Sequence, residues 1–157
     1  MRSFGIIIPS RYASTRLPGK PLEDIQGKTL IRRVVENASS IQTAAFILVA
    51  TDDDRIFSHV NTFGQAMMTQ SNHATGTDRI RECLDHLDTI PDIIVNIQGD
   101  EPFIDIENIH SAINNYVIKN QKDKNVVCST LYYSSYNTME ITSKSKVKIV
   151  LDKNNNI

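Results

Sequence analysis

The sequence predicts an α/β fold in which a mostly parallel sheet is flanked by helices. Short apolar runs rich in β-branched residues alternate with stretches whose apolar residues recur at helical spacing. Apolar residues make up 40% of the 157 residues and charged residues 22%, which is typical of one globular domain with its own core. Strands that are apolar throughout are expected in parallel sheets, because helices cover both faces of such sheets.

The first elements follow the order strand, loop, helix, strand. Residues 4–8 form an apolar run that ends at Pro9, and the loop after this strand extends to about Leu22. The next stretch, residues 29–39, predicts a helix because its apolar residues share one face: Leu30, Ile31, Val34, Val35 and Ala38. Residues 45–51 then predict a second buried strand.

The alternation continues through the middle of the chain. Asp52, Asp53 and Asp54 offer N-cap carboxylates for a helix that extends to about Phe63. The further elements are a short strand at 66–69, a helix striped by Ile80, Cys83, Leu84 and Leu87, a strand at 93–97, a helix capped by Asp105 with apolar residues at 106, 109, 113 and 117, and β character at 126–133. Residues 147–152 alternate as a strand does, and a strand needs a partner. Either this end is frayed, or the chain lacks a C-terminal part that would supply the partner.

Charge and cysteine usage narrow the function classes. The 17 Lys and Arg residues balance 18 Asp and Glu residues to a net charge of −1, which argues against a nucleic-acid partner. No segment is long enough to cross a membrane, so no membrane partner is expected. Cys83 and Cys128 lie far apart without metal-ligand spacing, which favours a reducing, cytoplasmic location.

The loop after the first strand is locally basic. Arg11, Arg16 and Lys20 lie in it, and no acidic residue occurs before Glu23. Ligands of open α/β sheets bind at the carboxyl ends of strands, so this loop predicts a site for a triphosphate. The alternative is a solvated basic loop. A P-loop is excluded because its first glycine would fall at Leu22, and the G-x-G-x-x-G fingerprint of dinucleotide sites is absent.

Two further segments carry polar chemistry. Gln98, Gly99 and Asp100 follow the strand at 93–97, which places the Asp100 carboxylate at the same edge of the sheet. A carboxylate facing a triphosphate favours Mg²⁺, although a simple turn is the alternative. Residues 72–79 precede a helix that Thr77 or Asp78 would cap, and His73 and Arg79 in this segment are suited to hydrogen-bonding a base or ribose.

Five segments together resemble the 3-deoxy-manno-octulosonate cytidylyltransferases (CMP-Kdo synthetases) of Gram-negative bacteria. In the family's order they are IPSRYASTRLPGKPL (8–22), VATDDDRI (49–56), MTQSNHATGTDRI (68–80), IVNIQGDEPFI (94–104) and VKIVLD (147–152). The chain departs from the family at Ser10, where many members have Ala, and at Ala74 and Thr75, where a Ser commonly precedes the Gly.

The resemblance implies a nucleotide-diphospho-sugar transferase (Rossmann-like) fold and the reaction CTP + Kdo → CMP-Kdo + pyrophosphate with Mg²⁺, for lipopolysaccharide biosynthesis. It implies that Arg11, Arg16 and Lys20 neutralise the triphosphate and that Asp100 binds the metal, these four forming the catalytic set. The implied cytidine site consists of the Pro9 and Ser10 backbone with Thr75, Gly76 and Arg79, and Gln98 would also face the nucleotide.

Length separates this chain from the family. Family members continue past VKIVLD into a region that supplies much of the sugar site, the homodimer contact and a second metal-binding Asp. Residues 1–157 are therefore expected to form a single nucleotidyltransferase domain that lacks this region, and activity of this chain alone is open. The alternatives are a truncated, non-catalytic CTP-binding module, or a spore-coat-type or other sugar cytidylyltransferase.

Overall fold

A computed structural model describes residues 2–13, 17–143 and 147–153, so Arg16 of the predicted site lies outside the described residues. In chain order the elements are β1 (Phe4–Ser10), a 3₁₀ turn (Lys20–Leu22), β2 (Asp24–Ile25), β3 (Lys28–Thr29), α1 (Leu30–Ser39), β4 (Ile47–Thr51), α2 (Asp54–Val60), β5 (Ala66–Met68), α3 (Gly76–Asp85), β6 (Ile93–Asn96), α4 (Ile106–Lys122) and α5 (Thr138–Thr142). No helix in the described part of the chain is long and apolar enough to span a membrane.

Four strands form one parallel sheet in the order β5-β4-β1-β6. Strand β1 lies in the interior of this sheet, with Ile7 opposite Leu48 of β4 on one side and Asn96 of β6 on the other. Because parallel strands run in the same direction, their carboxyl ends lie along one edge. The predicted fold class is therefore confirmed.

Alternate residues of β1 pack on opposite faces of the sheet. Ile6 and Ile8 face a core built with α1, α2 and α4, whereas Ile7 faces a smaller core built with α3. All three isoleucines are fully buried, which explains why β1 is apolar at successive positions. The α1 residues predicted to share one face, Leu30, Ile31, Val34, Val35 and Ala38, are all buried.

Two of the three helix caps that the sequence suggested are confirmed. Asp53 accepts the Arg55 N–H to cap α2, and Asp105 accepts the Glu107 N–H to cap α4. Helix α2 ends at Val60, earlier than predicted. The prediction that Thr77 or Asp78 caps α3 was wrong, because Thr75 is the N-cap and Asp78 completes a capping box with it.

A two-stranded hairpin, β2 and β3, was not predicted from the sequence. Its turn places Gln26 at φ 54° and Gly27 at φ 81°, and left-handed conformation at both central residues is the requirement of a type I′ turn. The Gly27 N–H also donates to Asp24 Oδ1 at 2.9 Å. The Gln-Gly pair was the available signal, and the hairpin leads directly into the Thr29 cap of α1.

Two predicted strands are absent from the described residues. Residues 126–133 and 147–153 lie outside any helix or strand, so both predictions were wrong. A strand needs a ladder of hydrogen bonds to a neighbour, and local alternation cannot supply one. In the part of the chain that the structure describes, β6 pairs on one side only, and a groove of about 780 Å³ lies between β6, α4 and residues 127–131.

Gly5 leaves room for the ring of Phe46 to lie directly over the β1 backbone. A methyl group added at Gly5 would lie 2.4 Å from Cζ of Phe46, inside the ring's van der Waals envelope. We expect Gly5→Ala to lower the free energy of unfolding by about 2 kcal/mol, as overpacking commonly does. In a Phe46→Leu background the same change should cost roughly 0.5 kcal/mol or less, because the clash is gone. Urea unfolding of the four proteins measures this coupling, and additive costs would contradict it.

Candidate functional site

Three segments meet at the carboxyl end of β1. A Cβ atom added at Gly76, the first residue of α3, would lie 3.1 Å from Cγ of Pro9. One added at Gly99 would lie 3.0 Å from the Pro9 carbonyl oxygen and 3.5 Å from Cβ of Ser10. The end of β1, the start of α3 and the loop after β6 are thus in contact, as their positions at strand ends predicted, and a side chain at either glycine would separate them.

The loop after β1 closes on itself through Tyr12. Gly19, in the left-handed region at φ 74°, donates its N–H to the Tyr12 carbonyl at 2.9 Å. A Cβ on Gly19 would lie 3.0 Å from the Tyr12 ring. The guanidinium of Arg55 lies 3.3 Å from the centroid of that ring. Sequence reasoning did not assign Tyr12 or Arg55 any part in shaping this loop, on which Arg11 is exposed.

Lys20 and Asp100 form an ion pair that joins this loop to the loop after β6. Lys20 Nζ lies 2.5 Å from Asp100 Oδ2, and both side chains are about half exposed. The sequence predicted separate partners for these groups, a phosphate for Lys20 and a metal for Asp100. The structure places them at one point, so an anion and a cation bound there would be neighbours.

The Asp100 carboxylate suits a divalent cation only if a bound molecule supplies the remaining oxygen ligands of that cation. Within the described residues, no group of three or more His, Cys, Asp or Glu side chains has the arrangement of a metal site. Mg²⁺ commonly takes one or two carboxylates and completes its shell with water and phosphate oxygens. The Lys20 ammonium places a positive charge beside Asp100. A metal cation bound by Asp100 would lie in the same region. Asp100 therefore fits a cation that arrives with phosphate.

The hydroxyl of Thr75 is used in capping α3. It accepts the Asp78 N–H at 3.1 Å and donates to Asp78 Oδ2 at 2.7 Å, while the same carboxylate accepts the Thr75 N–H at 3.0 Å. The first N–H groups of a helix have no partner within it, so those of Gly76 and Thr77 remain suited to a polar ligand. The backbone here, more than the Thr75 hydroxyl, provides binding capacity.

Arg79 is buried and bonded to protein groups. Its side chain donates to Asp52 Oδ2 at 3.0 Å, to the Gln70 carbonyl at 3.4 Å and to the Thr69 hydroxyl, and the residue is only 4% exposed. A guanidinium has five N–H donors and three of these bonds are present here, so direct contact of Arg79 with cytidine stays a prediction, while every contact in the structure is to a protein group. We therefore assign Arg79 a positioning role: it fastens α3 to the ends of β4 and β5.

Asp52 makes a contact near the site that sequence reasoning missed. Its neighbour Asp53 caps α2 and pairs with Arg55, whose contact lowers the pKa of the Asp53 carboxyl. Asp52 instead turns inward to Arg79, 27 positions along the chain. The only signal in the sequence was that one helix start does not need three consecutive carboxylates.

Hydrogen bonds of Glu82 also hold the segment before α3. Glu82 accepts the Gln70 N–H at 2.9 Å and is bonded to His73 Nε2. This contact with His73 is the main reason that the pKa of Glu82 is lowered. His73 therefore contacts helix α3 here, although the sequence suggested contact with a base or ribose. Residues 69–73 are fixed onto one helix by Arg79 and Glu82 together.

Gln98 follows β6 and begins the loop that contacts the carboxyl end of β1. It is exposed, and its Nε2 donates to Asn96 Oδ1 at 3.2 Å. The Gln98 carbonyl accepts the Glu101 N–H at 3.1 Å, which forms the turn that presents Asp100. The predicted segment thus forms a turn that carries the Asp100 carboxylate to Lys20, and metal binding by Asp100 stays a prediction.

Comparisons with known proteins agree on the kind of protein. A 3-deoxy-manno-octulosonate cytidylyltransferase of Fusobacterium nucleatum is 46% identical over 149 residues, covering 94% of this chain and 58% of that protein. The enzyme of the same name from Syntrophus aciditrophicus is 41% identical, covering 99% of this chain and 62% of that protein. The chain therefore spans about 60% of the length of these curated relatives.

Solved structures give the same result. A CMP:2-keto-3-deoxy-manno-octonic acid synthetase complexed with CTP matches with a TM-score of 0.69 and 41% identity, over 78% of this chain and 48% of that chain. A 4-diphosphocytidyl-2C-methyl-D-erythritol synthase, 15% identical with a TM-score of 0.58, shares the fold. The sequence model of the family described as cytidylyltransferase matches residues 5–157. Since that match extends from the second residue of β1 past the end of α5, the chain belongs to the cytidylyltransferase family.

Proposed function

We propose that this chain binds CTP and transfers its cytidylyl group to 3-deoxy-manno-octulosonate (Kdo), with release of pyrophosphate. The observation that carries the proposal is the meeting of the β1 end, the α3 start and the Gly99 loop around the Lys20–Asp100 pair. The relatives named for this reaction, at 41–46% identity, support the choice of substrates. CTP is a cytoplasmic metabolite, so we place the reaction in the cytoplasm.

Different groups of the site face the two halves of the nucleotide. Arg11 and Lys20, with Arg16 outside the described residues, neutralise the triphosphate, and their exposure leaves them able to reach it. The Pro9 and Ser10 backbone, Gly76 and the Thr75 cap line the cytidine. Gln98 faces the nucleotide from β6, and Arg79 holds α3 in place.

Asp100 would hold Mg²⁺ against the phosphates. When bound, the cation would withdraw negative charge from the phosphoryl groups and the leaving pyrophosphate. The anomeric hydroxyl oxygen of Kdo forms the new bond to the α-phosphorus as the bond from that phosphorus to pyrophosphate breaks, and the hydroxyl proton passes to solvent. Lys20 and Arg11 stabilise the charge that builds on the pyrophosphate, so positioning and electrostatics supply most of the catalysis.

A second candidate is nucleotide binding without catalysis. It is favoured by one observation, that the chain spans about 60% of its relatives' length. Under this alternative residues 1–157 act as a single nucleotidyltransferase domain that binds CTP, and Kdo binding, the homodimer contact and a second metal carboxylate belong to the part of the relatives that this chain does not match.

Nucleotide binding and turnover separate the two candidates. With Mg²⁺ present, CTP at 100 times its Kd should stabilise the chain by about 2.7 kcal/mol, and ATP at the same concentration by much less. Pyrophosphate release from CTP should require Kdo. A CTP-specific rise in melting temperature without pyrophosphate release indicates the binding module, whereas equal shifts with CTP and ATP contradict both candidates.

Charge removal tests the two halves of the ion pair. Lys20→Met should weaken CTP binding about tenfold or more, because a charge-assisted contact to phosphate is lost. Asp100→Asn should leave metal-free CTP binding intact and remove the increment that Mg²⁺ adds. Titration calorimetry with and without Mg²⁺ measures both effects.

Lys28→Met is the matched control for this pair of variants. Lys28 pairs with Glu36 at 2.6 Å with nearly the same exposure as Lys20, and this pair joins β3 to α1 instead of joining the loops after β1 and β6. Its CTP affinity should equal that of the unaltered chain. A loss as large as that of Lys20→Met would mean that the effect is one of overall charge.

The ion pair between Asp52 and Arg79 should contribute to the free energy of unfolding. Asp52→Asn leaves the buried guanidinium without its counter-ion and should lower the free energy of unfolding by about 3 kcal/mol. Asp53→Asn is the control, since Asn caps a helix as well as Asp and Arg55, unlike Arg79, keeps more than half of its side chain in solvent; its cost should stay below about 0.5 kcal/mol. Urea unfolding measures both, and equal costs would show that Asp52 is only part of the helix start.

A further inference from the structure

One hydroxyl at the strand ends has no partner. Ser10 is the last residue of β1 and is 4% exposed, yet its Oγ is buried without a hydrogen bond. Among the described residues only Ser129 Oγ shares this condition. Buried polar atoms in folded proteins are nearly always paired, so an orphan of this kind requires an explanation.

Neighbouring hydroxyls at the same edge are satisfied. Thr51 is opposite Ser10 in the sheet, is fully buried, and its Oγ1 accepts the Asp53 N–H at 3.3 Å. The Thr69 hydroxyl donates to the Thr51 carbonyl at 3.0 Å. Because the fold pairs these two groups and leaves Ser10 unpaired, the missing partner of Ser10 is specific to its position.

That position is the contact between the end of β1, the start of α3 and the loop after β6, described above. A Cβ added at Gly99 would lie 3.6 Å from Ser10 Oγ, so the hydroxyl faces a strip of backbone that carries no side chain. Gly76 contacts the preceding residue, Pro9. The groups packed here are uncharged, and the charged pair Lys20–Asp100 begins one residue beyond Gly99. A buried, uncharged hydroxyl matches an uncharged polar group of a ligand better than it matches a phosphate.

We propose that the Ser10 hydroxyl hydrogen-bonds the nucleoside half of the bound nucleotide, at a ribose hydroxyl or a polar atom of the base. This rests on the proposed function and adds a side-chain contact to it. Ser10 thereby becomes a residue that sets nucleotide affinity at a position where many resembling proteins have Ala, which has no hydroxyl to offer.

Ser10→Ala tests the proposal because two measurements should move in opposite directions. CTP affinity should fall about two- to tenfold, the range of one neutral hydrogen bond. The melting temperature without ligand should stay unchanged or rise by about 1–3 °C, because an unpaired buried hydroxyl has been removed. Binding of inorganic tripolyphosphate should be unaffected. The control Thr51→Val, which deletes a paired hydroxyl, should lower the melting temperature and leave CTP affinity unchanged.

Other ligands locate the partner atom. A Ser10→Ala effect that persists with 2′-deoxy-CTP places the contact away from the 2′-hydroxyl, and one that disappears places it there; both support the proposal. Equal losses for CTP and tripolyphosphate would assign the hydroxyl to phosphate and overturn it. A lowered melting temperature with unchanged CTP affinity would also overturn it. If the unaltered chain binds no CTP, the proposed function fails and this inference fails with it.

Discussion

The parallel ladder around β1 is the constraint on which the site depends. A strand with neighbours on both edges and helices on both faces has no solvent-facing side, so its residues are fixed by main-chain pairing and by packing together. Only its carboxyl end is left for polar chemistry. Pro9 and Ser10 are therefore the fixed point against which α3 and the loop after β6 are placed.

Fixing α3 takes a buried ion pair as well as packing. The helix contributes Ile80 and Cys83 to the smaller core, but apolar contact alone permits sliding along the sheet. The bond from Arg79 to Asp52 is directional and joins the helix to the end of β4. Breaking such a pair is costly because it leaves a buried charge. The pair therefore keeps the N-terminus of the helix, whose first N–H groups have no partner within the helix, at the end of β1.

Local patterns predicted the parts of this structure that depend on local physics. The apolar runs of β1 and β4, the buried stripe of α1 and the Asp105 cap follow from residues a few positions apart. The strands predicted at 126–133 and 147–152 failed because strand formation requires a partner that alternation within a segment cannot identify. The Asp52–Arg79 bond was missed for the same reason, since it joins residues that only the fold brings together.

The closure of the first loop affects the thermodynamics of ligand capture. Tyr12 is held between Gly19 and the Arg55 guanidinium, so the loop is pinned at both of these points without a ligand. Ordering a residue on binding costs conformational entropy, and residues already fixed do not incur that loss again. Arg11 and Lys20 adjoin Tyr12 and Gly19 in sequence, so under the proposed function the Gly19–Tyr12 bond preorganises both cations for the triphosphate.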